Sequence, residues 1–273
     1  MHVITVVRNF DMYHGLVKNN INYSQDTSFI FFDNRNENKG ISTRYNSFLN
    51  SYDYNIEDWF VFCHEDWSLE EDLESKIQSL DKNKIYGPIG MTLEPYYRQS
   101  KLVGIITQSN KDGTNKKLIG EKLPDSTEVS TFDCQCLIVH SSLISKYDLR
   151  FDENLTFDLY AEDFCIYARE KYNISSNIFY FKCHHFSEGN LTERFKQQLS
   201  YLLCKYSNVN KIYYSTVSSA IISSSSLIKK HKLILKISRF FYTCKTTSKG
   251  TKIVQIFKIP VCFKKITAQK VNK

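Results

Sequence analysis

Short apolar runs alternate with longer polar or amphipathic stretches along most of the chain. "HVITVV" (His2 to Val7), "SFIFFDN" (Ser28 to Asn34) and "WFVFC" (Trp59 to Cys63) are rich in β-branched and aromatic residues and predict three buried strands. Between them, "HGLVKNNINY" can form a helix, and "KGISTRYNSFLNSY" places Tyr45, Phe48 and Leu49 on one helical face. After the third strand, "SLEEDLESKIQSL" has Ser68 as a candidate N-cap and Glu71 three residues later, the spacing of a capping box. "IYGPIGMTL" predicts a fourth strand region interrupted at Gly87-Pro88, and the polar segment from Gly104 to Asp125 predicts a hairpin or mobile loop. "VSTFDCQCLIVHSSLISKY" gives a strand and a short helix. "FDENLTFDLYAEDFCIYAREKYN" gives a loop and a helix starting near Ala161, and "SNIFYFKCHHFSEGN" a strand ending in His184 and His185. Strands alternating with helices predict an α/β fold with a mostly parallel, Rossmann-type sheet flanked by helices. Ligands of such sheets bind beyond the carboxyl ends of the strands. Asp33, the His64-Glu65-Asp66 cluster and the two histidines all follow predicted strands, so one site can collect them.

Composition narrows the class. Of 273 residues, 42% are hydrophobic and 24% charged, which suffices for a sizeable core. No apolar run reaches the length of a membrane span, and "MHVITVVRNF" reads as a first strand and not as a leader. The eight cysteines lack zinc-site spacing, so reduced thiols and a cytoplasmic location are expected. The net charge of +7 is unevenly spread: residues 229 to 273 hold 13 of the 36 Lys and Arg and no Asp or Glu, leaving 23 basic against 29 acidic residues elsewhere. We therefore expect a catalytic domain over 1–215 and a basic, amphipathic extension over 216–273. Within the extension, "LIKKHKLILKISRFFY" can form an amphipathic helix whose Lys heads suit an anionic membrane surface. A solvated tail is the plain alternative.

Three stretches carry a family resemblance. "FFDN" with "NKGISTRYN" resembles a nucleotide-binding region, "FVFCHEDW" an apolar strand followed by D-x-D, and "VSTFDCQCLIVHSSLISKYDLRFDENLTFDLYAEDFCIYAREK" an acceptor segment closing on an acidic pair. Together they resemble the family 2 nucleotide-sugar glycosyltransferases and their relatives of GT-A fold. The resemblance implies an inverting transfer from a UDP-type donor to a glycan or lipid-linked hydroxyl. It implies donor contacts from Arg8, Asn9, Asp33, Asn34, Arg44, Asn46, His64, Glu65 and Asp133. It implies Mn²⁺ or Mg²⁺ held by Asp66 with His185, or alternatively His184. It also implies an acceptor base at Glu162-Asp163, with Asp163 as base and Glu162 positioning the acceptor.

The chemistry wants such groups: a nucleotide leaving group carries charge that a hard cation neutralises, and an attacking hydroxyl needs a base. Each has a plainer reading too. Asp33 can make an Asx-turn, Arg44 can be a solvated helix residue, Asp66 can start a loop, and Glu162 and Asp163 can simply favour a helix dipole. His64 stands where the family usually has an acid. That departure keeps open a catalytically inactive binding protein of the same fold, and the basic tail keeps open nucleic-acid binding.

Overall fold

A computed structural model describes residues 1–94, 100–122, 127–187, 189, 191–209, 211–217, 220–221, 233–234 and 236–237, and the backbone of three further strands between 242 and 265. The chain divides into two compact units, one of Met1–Leu93, Ser100–Ser207 and Tyr213–Ile222, the other of Glu94–Gln99, Asn208–Ile212 and Ser223–Lys273.

The first unit is mixed α/β. Its strands are β1 (His2–Val7), β2 (Ser28–Asp33), β3 (Trp59–His64), β4 (Trp67–Leu69), β5 (Ile85–Gly87), β6 (Ile89–Thr92), β7 (Leu102–Gly104), β8 (Ile106–Ser109), β9 (Lys117–Ile119), β10 (Glu128–Phe132), β11 (Cys136–His140), β12 (Ser176–Ile178) and β13 (Cys183–Phe186). Its helices are α1 (Phe10–Met12), continued by a π-helical turn Tyr13–Lys18, then α2 (Ile41–Ser51), α3 (Glu74–Ile77), α4 (Ser141–Tyr147), α5 (Tyr160–Tyr172) and α6 (Glu193–Lys205).

Nine strands form one sheet in the order β2-β1-β3-β11-β5-β12-β10-β6-β7. β1 is parallel to both β2 and β3, as the alternation predicts. Beyond β3 the expectation of a mostly parallel sheet gives way: β11 runs antiparallel to β3 and β5, and β10 antiparallel to β12 and β6. The reason lies in "VSTFDCQCLIVH", which holds two strands joined by the turn at Asp133 to Gln135 and not one. Every residue of β3 except His64 is buried, as a strand covered on both faces must be. Trp59, Phe60, Val61 and Phe62 anchor the core there, and burying each such side chain stabilises by roughly 1.5–3 kcal/mol.

β4, β13, β8 and β9 form a second sheet in that order. Ser68 lies within β4, so the predicted capping box does not form. The helix is reduced to the single turn α3, whose N-cap is Leu73, without a side-chain bond. Pairing with β13 claims Ser68, because the apolar Trp67 and Leu69 are both fully buried and alternate with it. The predicted hairpin after Gly104 forms as β8 and β9. Gly104 itself adopts φ +99°, and a Cβ there would lie 2.1 Å from the Pro88 carbonyl oxygen, so this turn requires glycine.

The second unit holds an antiparallel sheet of β14 (Tyr242–Thr246), β15 (Thr251–Ile256) and β16 (Ile259–Lys265). Strands there were not expected. The amphipathic helix expected over 227–242 lies mostly outside the described residues; positions 233–234 and 236–237 are helical. Among the described residues, no helix is long and apolar enough to cross a membrane.

Candidate functional site

The site lies where β1 ends, between β2 on one side and β3 on the other, the point at which parallel strands diverge and leave a crevice. Val6 pairs with His64, which sets the ends of β1 and β3 level. Glu65, just past β3, accepts from the backbone N–H groups of Arg8 (2.5 Å) and Asn9 (2.8 Å), locking the two strand ends together. Burial raises its carboxyl above the ordinary range. Asn34 donates its N–H to the Val7 carbonyl, and its side chain bridges the Lys39 backbone in both directions. Arg8 donates to Asn38. A cleft of about 310 Å³ opens here, lined by Arg8, Asn34, Asn38, Lys39, His64 and Asp66 among others, with Phe157 and Arg194 opposite.

Because β11 is antiparallel to β3, its beginning and not its end reaches this edge. His64 N–H donates to the Gln135 carbonyl. Tyr160, first residue of α5, donates its hydroxyl proton to the Cys134 carbonyl at 2.5 Å and lies 2.9 Å from His64 Nε2. Burial pushes the Tyr160 hydroxyl well up, so it keeps its proton. That proton is already given to Cys134, so His64 must donate from Nε2 and carry a free lone pair on Nδ1. Burial also lowers His64, favouring this neutral form.

The lone pair faces Asp66: Nδ1 is 3.8 Å from Asp66 Oδ1. His185 Nε2 lies 3.5 Å from the same oxygen. Register explains the third member, because β13 pairs with β4 so that His185 sits opposite Trp67, one residue from Asp66. His64, Asp66 and His185 thus offer three ligand atoms within 4.8 Å of one another and could hold a metal ion. The fit is supported by two orphaned atoms: Asp66 Oδ1 and His185 Nε2 are buried and lack hydrogen-bond partners, a costly state that a cation would relieve. Burial works to raise Asp66, but the adjacent His185 and His64 outweigh it and hold the carboxyl below its usual range. Burial likewise works to lower His185, and Asp66 overrides it, raising the imidazole.

Alternation along β13 sends His184 to the opposite face. It meets Ser109 Oγ at 2.8 Å and stacks on Phe186 (centroids 3.8 Å apart), outside the triad. His185 and His64 are therefore the imidazoles beside Asp66.

On the triad's other side lies a smaller chamber of about 170 Å³, lined by His64, His185, Asp133, Asp158 and Glu162 with Phe157, Phe195 and Val217 among its apolar members. Glu162 is 3% exposed, and burial pushes its carboxyl up to about 8, assisted by the nearby Asp133. The Cys134 thiol donates to Glu162 Oε2 at 3.1 Å. Asp133 accepts from Thr216 (2.8 Å) and from Gln135. Leu159, the N-cap of α5, adopts the left-handed region (φ 61°) while buried, at a cost of roughly 1–2 kcal/mol. This strain sits between Asp158 and Tyr160, where the loop must turn both toward the crevice.

Glu162 and Asp163 are neighbours on a helix and so point about 100° apart. Asp163 does not line the chamber. It is ion-paired with Lys205 Nζ (2.7 and 2.9 Å) and accepts from Tyr206 (2.6 Å), and Lys205 also holds Asp152 at 2.6 Å. Burial raises the Asp163 carboxyl, and these partners only partly offset it. Other expected contacts fall outside the crevice as well. Asp33 ion-pairs with Arg35 at 2.6 Å, which lowers its carboxyl. Arg44 is engaged by Glu37 and the Asp33 carbonyl, and Asn46 is buried against Phe151 and Glu153, tying α2 to the loop before α5. Asn9 spends its side chain capping α1.

Sequence reasoning missed Tyr160, Phe157, Lys39 and Arg194. Arg194 lies in the first turn of α6, a helix the reading did not predict. Its signal was present in "LTERFKQQLSYLLCK", where Thr192 caps and Phe195 and Leu202 lie buried on one face.

No protein-family model matches this chain, and no curated protein matches it in sequence. Solved structures do show similarity. The crystal structure of GalNAc-T7 with UDP, GalNAc and Mn²⁺ is 7% identical over 93% of this chain, with a TM-score of 0.45, and this chain spans 64% of that one. A197 from STIV is 14% identical over 82% of this chain and 94% of its own, with a TM-score of 0.35. A protein described as a glucose-1-phosphate thymidylyltransferase, from Bacillus anthracis and in complex with a sucrose, is 11% identical over 62% and 69%, with a TM-score of 0.30.

Proposed function

We propose that the protein is a nucleotide-sugar transferase of GT-A type, moving a sugar from a UDP-type donor to an acceptor hydroxyl with inversion. The observation that supports it is the convergence, in one crevice, of the His64-Asp66-His185 triad, a cleft bearing Arg8, Lys39 and Arg194, and a buried carboxyl at Glu162. In this reading Arg8, Lys39 and Arg194 attract the donor phosphates, and Asn34 and Asn38 offer hydrogen bonds to its nucleoside. A divalent cation held by the triad would supply neutralisation of charge on the departing nucleotide; one carboxylate with two imidazoles favours Mn²⁺ over Mg²⁺.

Glu162, and not Asp163, is the base, because Asp163 is already committed to Lys205 and Tyr206. As the acceptor oxygen forms its bond to the anomeric carbon, the bond from that carbon to the phosphate oxygen breaks. The hydroxyl proton passes to Glu162, and the nucleoside diphosphate leaves with the electron pair. His64 is held by Tyr160 and does not move protons in this scheme.

Calorimetric titration with UDP tests the reading. Affinity is expected to rise at least about tenfold when Mn²⁺ is added, and Asp66→Asn is expected to remove that gain. UDP binding that is absent, or indifferent to Mn²⁺ in the native protein, would overturn it. We further propose that the basic extension contacts an anionic membrane surface, which suits a lipid-linked acceptor. The full chain is then expected to sediment with phosphatidylserine vesicles at low salt and to be released at high salt; sedimentation that ignores salt or lipid charge contradicts this.

A further inference from the structure

The two compartments of the crevice share His64 and Phe157 as a common wall. Phe157, 38% exposed, has a neighbour on each side of its ring. Its ring stacks on His64 at 5.7 Å and 26°, and the Arg194 guanidinium covers it at 4.2 Å. On the outer side the lining carries three cations, Arg8, Lys39 and Arg194, against Glu65 and Asp66. On the inner side it carries Asp133, Asp158 and Glu162, with no Lys or Arg among the described residues. The partition therefore separates a cleft suited to a phosphorylated ligand from a chamber whose described lining offers an anion no Lys or Arg.

The chamber has a second character. At its mouth Leu191 is 57% exposed and Val217 44%, large apolar side chains left facing solvent beside the carboxyls. Carboxylate oxygens accept hydrogen bonds, and a sugar ring offers hydroxyl donors at its rim and C–H groups on its faces. Asp158 is answered by Arg194 at 2.7 Å, which leaves Asp133 and Glu162 as the polar groups facing a ligand. A carboxylate or phosphate on the ligand would meet Asp133 with no Lys or Arg in the described lining to pair, and like-charge contact of that kind is how binding sites reject wrong partners.

Resting on the transferase reading above, we infer that the inner chamber takes an uncharged sugar ring as acceptor and excludes acceptors whose reacting residue is anionic. Acceptor specificity is set by Asp133, Glu162 and the apolar mouth, and donor specificity by the cationic side of the Phe157 partition.

Saturation-transfer NMR on the full chain, with UDP and Mn²⁺ present, tests this. The probes are the methyl glycosides of glucose, galactose and mannose, against methyl glucuronide and glucose 6-phosphate. At least one neutral glycoside is expected to bind, and each anionic analogue to bind at least about tenfold more weakly. Val217→Lys, an exposed position expected to tolerate the change, should bring methyl glucuronide to within a few-fold of the neutral sugar. The inference is overturned by equal or better binding of an anionic analogue, by the absence of binding by all the neutral glycosides, or by no gain for glucuronide in Val217→Lys. The same samples titrated with UDP keep the two readings apart. Failure of UDP to bind counts against the transferase, while the sugar preference, repeated without UDP, still reads the chamber.

Discussion

Replacing Glu162 with Gln is expected to abolish transfer and at the same time to stabilise the fold at alkaline pH. The carboxyl is carried from about 4.5 in the unfolded chain to about 8 by burial in the chamber. Below pH 4.5 both states are protonated and the folded state bears no penalty. As pH rises from there to 8, the unfolded chain releases its proton and the folded one does not, so stability falls. Above 8 both are ionised and the loss levels off. At 1.36 kcal/mol per unit the full effect is on the order of 5 kcal/mol. Gln keeps the shape without ionising, so the melting temperature of the variant should exceed the native one by a margin that grows from pH 5 to pH 8. Catalysis should move oppositely: a base acts deprotonated, so native kcat/KM should climb with pH and level near 8, and Glu162→Gln should lose about 10²–10⁴-fold. Retained transfer in the variant, or parallel stability curves for the two proteins, would remove Glu162 from the role given to it. The trade between stability and activity is what a functional carboxyl in an apolar chamber entails.

Lys205→Met is expected to be the most destabilising single change on the other face of α5. Asp163 is 1% exposed and depends on Lys205 for its counter-charge. Removing one member of a buried pair strands the other, at a cost of about 3–5 kcal/mol. Urea unfolding at pH 7 should show it. Asp152 is held at about 2: burial opposes its ionisation, and Lys205 and Tyr201 outweigh that. A depressed carboxyl contributes stability above its unfolded value of 3.8 and loses it as pH falls through 2. A stranded Asp163 is in turn relieved by protonation. Both effects shrink the cost of Lys205→Met in acid, so the native and variant curves should converge below pH 4. Adding Asp163→Asn to the variant should recover much of the loss, since the double change leaves no unpaired buried charge at that position. A loss under about 1 kcal/mol that does not vary with pH would show that the network is solvated and energetically slight.

The parts of the site that the sequence made legible are those that follow parallel strands. β1, β2 and β3 are continuous β-branched or aromatic runs, and their ends had to lie together. His64, Glu65 and Asp66 were therefore expected at one edge from strand order, and Arg8 and Asn34, expected from the family resemblance, line the same cleft. Asp33 is not part of the cleft lining, and an arginine two residues on captures it, a local competition that strand order does not reveal. Ser68 was misjudged because a capping-box spacing is a weak local preference, whereas burying Trp67 and Leu69 in a strand pair is a larger gain. The resemblance preferred His185 and kept His184 as the alternative, and the register of β13 on β4 places His185 beside Asp66.

By itself the sequence determined the α/β class, the strand edge where ligands gather, and the residue types available there. Periodicity and strand composition are encoded locally, and they suffice for that much. The tertiary structure decided everything that depends on strand direction and rotation. The reversed β11 brought Asp133 and the Cys134 carbonyl to the crevice, and the Tyr160 hydroxyl completed the link that fixes which His64 nitrogen is free. The helical offset of about 100° gave Glu162 to the chamber and Asp163 to Lys205. Direction and rotation follow from long-range packing, in which residues far apart in sequence compete for one buried position, and no short stretch of chain records the outcome.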